Sequence, residues 1–150
     1  MATSSTAHSP VRPVAATATP SPAWRRTGLV LSGLAILFLV ADAAGKLIAP
    51  ETMIANTPPL GLPATVSFYR LLGTILALCI AIHLWPRTAL LGAVLLTGFL
   101  GGAVAVNLRA GMPLLSNTLF GVYVGALMWG GLVLRRPKLA GLLGLSRSEE

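Results

Sequence analysis

Residues 88–107 read TALLGAVLLTGFLGGAVAVN, a stretch without a single charged side chain. At 1.5 Å per residue, a helix of about 20 residues crosses the roughly 30 Å hydrocarbon layer of a bilayer. A helix that is apolar all round needs either a large protein core or lipid around it, and a chain of 150 residues has no such core to offer. Three further apolar runs flank this one. Residues 27–48 carry only Asp42 and Lys46, near their far end; residues 64–85 carry Arg70 early and His83 late; residues 114–134 run into Arg135, Arg136, Pro137 and Lys138. Between the first two runs, Pro50, Pro58, Pro59, Gly61 and Pro63 mark residues 49–63 as a loop, and Pro86 with Arg87 marks a tight turn. The pattern predicts an all-α fold, a transmembrane four-helix bundle over residues 24–138. A disordered Ser/Thr/Ala/Pro-rich tail over residues 1–23 precedes it, and a short tail over residues 139–150 follows.

Composition agrees. Hydrophobic residues make up 55% and charged residues 10%, against about 25% charged in an ordinary soluble domain, and the mean hydropathy is +0.80. The net charge of +7 would suggest nucleic acid in a soluble protein, but here Lys and Arg sit singly or in pairs at the ends of apolar runs. That placement encodes topology, and no nucleic-acid module is visible. Cys79 is the sole cysteine, so a thiol-disulfide oxidoreductase, which needs two, is excluded.

Four spans put both termini on one side. Arg25, Arg26, Arg87, Arg135, Arg136 and Lys138 collect there, against Lys46 and Arg109 opposite, which predicts a bacterial plasma-membrane protein with both termini cytoplasmic. A cleaved signal peptide is the competing reading, since residues 29–40 form an apolar run before Ala41-Asp42-Ala43. The long segment before that run, and the fit of Asp42 to Lys46 if the helix continues, favour an uncleaved first span. Arg25-Arg26 matches a twin-arginine signal poorly in its flanks.

Small residues recur at helical spacing: Gly73, Ala77 and Ala81 on the second span, Gly98, Gly102 and Ala105 on the third, Gly121 and Gly125 on the fourth. Such stripes let helix backbones approach closely in lipid, so Gly73, Gly98, Gly102, Gly121 and Gly125 are read as packing seams, with a homo-oligomer face as the alternative.

Polar residues converge in depth. Asp42 and Lys46 share one helix face near the outer end of the first span; Arg70 lies about 10 Å into the second; Asn107 and Arg109 end the third and Asn117 begins the fourth. Charge in hydrocarbon needs a partner. Asp42 is the natural counter-ion for Lys46 or Arg70, while Arg109 can snorkel to the outer interface. These six residues are either an ion-pair clip aligning the helices or an outward-opening site for an anionic or carbonyl-bearing ligand, with Glu51 able to join them. His83 reads as interfacial, Cys79 as a small core residue, and Trp24, Trp85 and Trp129 as an aromatic belt. No phosphate loop, catalytic triad or metal-ligand spacing is present.

The stretch WPRTALLGAVLLTGFLGGAVA at residues 85–105, its continuation LRAGMPL at residues 108–114, DAAGKL at residues 42–47 and WGGL at residues 129–132 together resemble the DoxX-like family of small four-helix membrane proteins. The resemblance covers residues 28–140. It implies the four-helix fold and a possible link to a membrane redox system, with quinone as the one cofactor it suggests, since the family takes its name from a membrane subunit of a thiosulfate:quinone oxidoreductase. Many members carry Glu where this chain has Leu76 and His where it has Asn107. The residues best suited to proton transfer are thus replaced here. The sequence therefore points to an accessory or subunit of a redox system, or a small-ligand binder with a polar pocket at the extracytoplasmic end. A small carrier or channel, or a ligand-free assembly protein, is the alternative; a carrier would place an ionisable group near the midplane, and these charges lie outward.

Overall fold

The computed structural model describes residues 22–56 and 60–136, together with Leu139 and Gly141. The predicted tails therefore fall largely outside the described residues. Among these the chain is all-α: α1 (Pro22–Ile48), α2 (Pro50–Asn56), α3 (Val66–Leu84), α4 (Ala89–Arg109), a five-residue π-turn (Leu114–Thr118) and α5 (Phe120–Arg135). Four of these stretches are long and apolar enough to span a membrane: α1, α3, α4, and the π-turn together with α5.

Several boundaries have a local cause. Pro50, at the first position of α2, lacks only an N–H that the first turn leaves unpaired anyway. The proline-rich segment expected to be a loop thus contains a short helix. Thr65 caps α3, its hydroxyl accepting from the Phe68 N–H at 3.4 Å. Gly111 ends α4 at φ +67, a left-handed conformation that glycine adopts without a Cβ clash. There the Gly111 N–H bonds the Leu108 carbonyl and the Met112 N–H bonds the Asn107 carbonyl. In the π-turn, Thr118 and Leu119 donate five residues back, to Pro113 and Leu114.

The helices pack in a ring, α1 on α3, α3 on α4, α4 on α5, and α5 back on α1, with α2 against α1 and α3. Ala35, Leu39, Leu76, Leu96, Met128 and Leu132 form the middle of the core. Leu37, Leu78, Leu91 and Val94 are exposed around the circumference, as a lipid-facing surface requires.

Glycine decides where helices touch. A Cβ on Gly131 of α5 would fall against Ser32 Oγ and within 2.7 Å of the Gly28 carbonyl, and one on Gly28 would meet Arg135 Cγ at 2.9 Å. On the α4 side of the α3–α4 turn, a Cβ on Gly92 would strike the His83 backbone. Gly73, against Lys46 Cβ at 2.9 Å, and Gly121, against the Leu100 carbonyl at 3.2 Å, take the seam positions expected of them. Gly98 and Gly102 do not: a Cβ there meets nothing within 4 Å, both are exposed, and both face a cavity instead. Gly125 makes only ordinary contact, at 3.8 Å from Leu100 Cδ1.

Candidate functional site

At the end of the bundle holding α2, helices α1, α3, α4 and α5 line a cavity of about 550 Å³. Phe38, Leu72, Phe99 and Phe120 form much of its apolar wall, and Phe38 meets Phe120 edge to face with centroids 5.7 Å apart. Met53 of α2, with Leu60 and Leu62 beyond it, also lines the cavity.

Four of the six residues expected at this end line it: Asp42, Lys46, Asn107 and Asn117. Lys46 Nζ donates to Asp42 Oδ1 across one turn of α1, forming the ion pair expected from their spacing. The Lys46 side chain is 14% exposed and that of Asp42 39%, so the carboxylate shields a cation that packing has largely removed from solvent. The Asn107 amide donates to the Ala103 carbonyl at 2.8 Å, which leaves its own oxygen as an acceptor. Asn117 Oδ1 accepts from Ser116 Oγ at 2.7 Å, which leaves its NH₂ as a donor.

Arg70 and Arg109 are elsewhere. Arg70 is exposed and joins no ion pair among the described residues; Asp42 is taken by Lys46 alone. Arg109 does not simply snorkel. Its Nη2 donates to the Leu60 carbonyl at 2.9 Å and to the Gly61 carbonyl at 3.4 Å, pinning the segment between α2 and α3 to the end of α4. Gly61 has φ +68, and a Cβ there would press on that same Nη2 at 2.7 Å.

Tyr69 was not anticipated. It is buried, lines the cavity, and its hydroxyl makes no hydrogen bond among the described residues. Its position is legible in hindsight, because Tyr69, Gly73, Leu76, Ile80 and His83 recur at helical spacing and form the buried stripe of α3. The same stripe turns Arg70 outward and His83 inward. His83 is accordingly buried, not interfacial, with Nδ1 2.9 Å from the Ala89 carbonyl. Trp129 likewise does more than mark an interface: its indole N–H donates to Thr97 Oγ1 at 2.8 Å, joining α5 to α4.

The cavity thus offers an apolar chamber with a paired ammonium, a phenol, an amide donor and an amide acceptor. Such a set can orient a carbonyl, hydroxyl or anionic group on an otherwise apolar molecule. Leu76 is fully buried in the core.

No curated protein and no solved structure matches the chain. The DoxX-like family model matches residues 30–131, a range that contains every residue lining the cavity. On that match the chain belongs to the DoxX-like family.

Proposed function

We propose that this multi-pass membrane protein binds a small, largely apolar molecule through a carbonyl, hydroxyl or anionic head, and serves in that capacity as an accessory or subunit of a membrane redox system. The cavity carries the reading: about 550 Å³ of mostly apolar space into which Lys46, Tyr69, Asn107 and Asn117 bring polar groups. A quinone fits this donor set, since its ring is flat and apolar and its two carbonyls accept hydrogen bonds. Lys46, the Tyr69 hydroxyl and the Asn117 amide would hold it. Asp42 keeps the Lys46 ammonium oriented, and the aromatic wall excludes water. When bound, the quinone would supply the electron-transfer chemistry.

The excess of Lys and Arg at the end opposite the cavity supports an orientation with the termini in the cytoplasm and the cavity towards the outer face of a bacterial plasma membrane.

The test is titration of the purified protein in nanodiscs with a short-chain benzoquinone, followed by intrinsic tryptophan and tyrosine fluorescence and by mass spectrometry of the apolar extract. Saturable binding, weakened tenfold or more in Lys46→Met and in Asn117→Leu but not in Arg70→Leu, is expected. Equal binding by all three variants would overturn the assignment.

A further inference from the structure

A second cavity, of about 430 Å³, lies at the opposite end of the bundle among α1, α3, α5 and the α3–α4 turn. Three arginines line it: Arg25, Arg135 and Arg136. No acid does. Of the four acids in the chain, Asp42 and Glu51 lie on α1 and α2 at the far end of the bundle, and Glu149 and Glu150 are outside the described residues.

Arg135 is held inward. Its Nε donates to the Gly131 carbonyl at 3.2 Å and its Nη2 to Ser32 Oγ at 2.9 Å. Side chains lean towards the N-terminus of their own helix, so an arginine ending α5 leans back into the bundle. Ser32 stands six residues, about 9 Å, deeper along α1 than Arg26. The glycine contact of Gly28 with Gly131 brings α1 and α5 close enough for this bond. Arg136 Nη2 donates to the Pro86 carbonyl at 2.5 Å, which draws a second guanidinium over the same cavity.

The lining changes character with depth. Arg25, Leu29, Ser32, Gly33 and Ile36 follow one face of α1, so the cavity runs about 16 Å from a guanidinium to an aliphatic side chain. Leu132 continues the apolar part on α5. His83 adds one more group. A carbonyl oxygen only accepts, so the 2.9 Å contact with Ala89 makes Nδ1 the donor, and Nε2 is the ring nitrogen left to meet an occupant. A cavity with a cationic head and an apolar floor, between spanning helices and without a carboxylate, lacks an anion that carries its own hydrocarbon.

We propose that this cavity is a binding site for one anionic phospholipid, its phosphate held by Arg25, Arg135 and Arg136 and its proximal acyl carbons lying along Leu29 and Ile36. Basic pockets between spanning helices suit such headgroups. The lipid supplies the countercharge that lets Arg135 remain inside the bundle.

The experiment is native mass spectrometry of the full chain after exchange into phosphatidylglycerol, phosphatidylcholine, or lipid-free detergent with millimolar inorganic phosphate. One phosphatidylglycerol retained per chain is expected, with phosphatidylcholine and inorganic phosphate each retained at least tenfold less. Arg136→Gln and Arg25→Gln should each lower retention at least fivefold. Arg87→Gln should leave it within twofold, because Arg87 carries charge at the same end but does not line the cavity. Arg135→Gln serves as a third variant, but it also removes the bond to Ser32, so the other two decide if it does not fold. Equal losses in Arg87→Gln and Arg136→Gln would reduce the site to surface charge and overturn the proposal. So would displacement of the lipid by inorganic phosphate. Lipid retention that appeared only in the double variant Glu149→Gln, Glu150→Gln would identify the chain's own tail as the counter-ion and overturn it as well.

Discussion

Trp129 on α5 donates its indole N–H to the hydroxyl of Thr97 on α4 at 2.8 Å, and that hydroxyl donates in turn to the Ala93 carbonyl at 2.8 Å. The two helices are thus linked by a polar relay in which every member is satisfied. In a membrane an interhelical hydrogen bond contributes about 0.6 kcal/mol, reaching about 1.7 in favourable cases. Trp129→Phe and Thr97→Val are each expected to destabilise the bundle within that range. The double variant should cost less than the sum, as read by steric-trap or SDS unfolding.

Asp42 and Lys46 form the clip at the cavity. Asp42→Asn leaves a mostly buried ammonium without its carboxylate. Removing one member of a fully buried pair costs about 3 to 5 kcal/mol, and the partial exposure of Asp42 should reduce this to about 1 to 3. Asp42→Asn with Lys46→Met should recover most of the loss. Arg70→Leu should leave the melting temperature in detergent unchanged, and a large fall would show that Arg70 shares the clip.

Glycine substitutions separate seams from open faces. Gly131→Ala forces a methyl into Ser32 and Gly28, and overpacking of this kind costs about 1 to 3 kcal/mol or more. Gly98→Ala and Gly102→Ala meet open space and should be neutral or stabilising by up to about 1 kcal/mol, from helix propensity. Thermal melts of the three variants side by side check this ordering.

Arg109 should act locally. Arg109→Gln releases the Leu60 and Gly61 carbonyls, so amide exchange in residues 60–65 is expected to quicken severalfold while the spanning helices keep their protection. Uniform acceleration across all helices would mean that the arginine supports the whole fold.

Orientation can be read from cysteine labelling. With Cys79 buried in the core, a cysteine at Asn56 should react with an impermeant maleimide in intact cells, and cysteines at Thr6 and Ser148 should not. The reverse pattern would place the cavity on the cytoplasmic side.

The four spans and the Asp42–Lys46 pair were legible because each depends on one helix alone, through hydropathy in the first case and i,i+4 spacing in the second. Which seams close was not. Gly98 and Gly102 have the same spacing as a packing stripe, yet both face the cavity and no neighbouring helix closes on them. Gly28 and Gly131 make a close crossing, but their partnership spans 103 residues and no local pattern announces it. Arg70 and His83 were placed by depth when azimuth decides: the buried stripe of α3 runs through Tyr69 and His83, and passes Arg70 by about 100°. The short helix α2 was hidden by proline, a residue that forbids helix interiors and suits helix beginnings.

The bond between Arg135 and Ser32 joins residues 103 positions apart, and the helices that bear them are the earliest and latest of the spans. During synthesis, α1 enters the bilayer with its Gly28 and Ser32 notch vacant, and only the arrival of α5 fills it. The ring therefore closes as a last act. A polypeptide interrupted after α4 would leave that notch without its partner, so the ring depends on the meeting of α1 with α5.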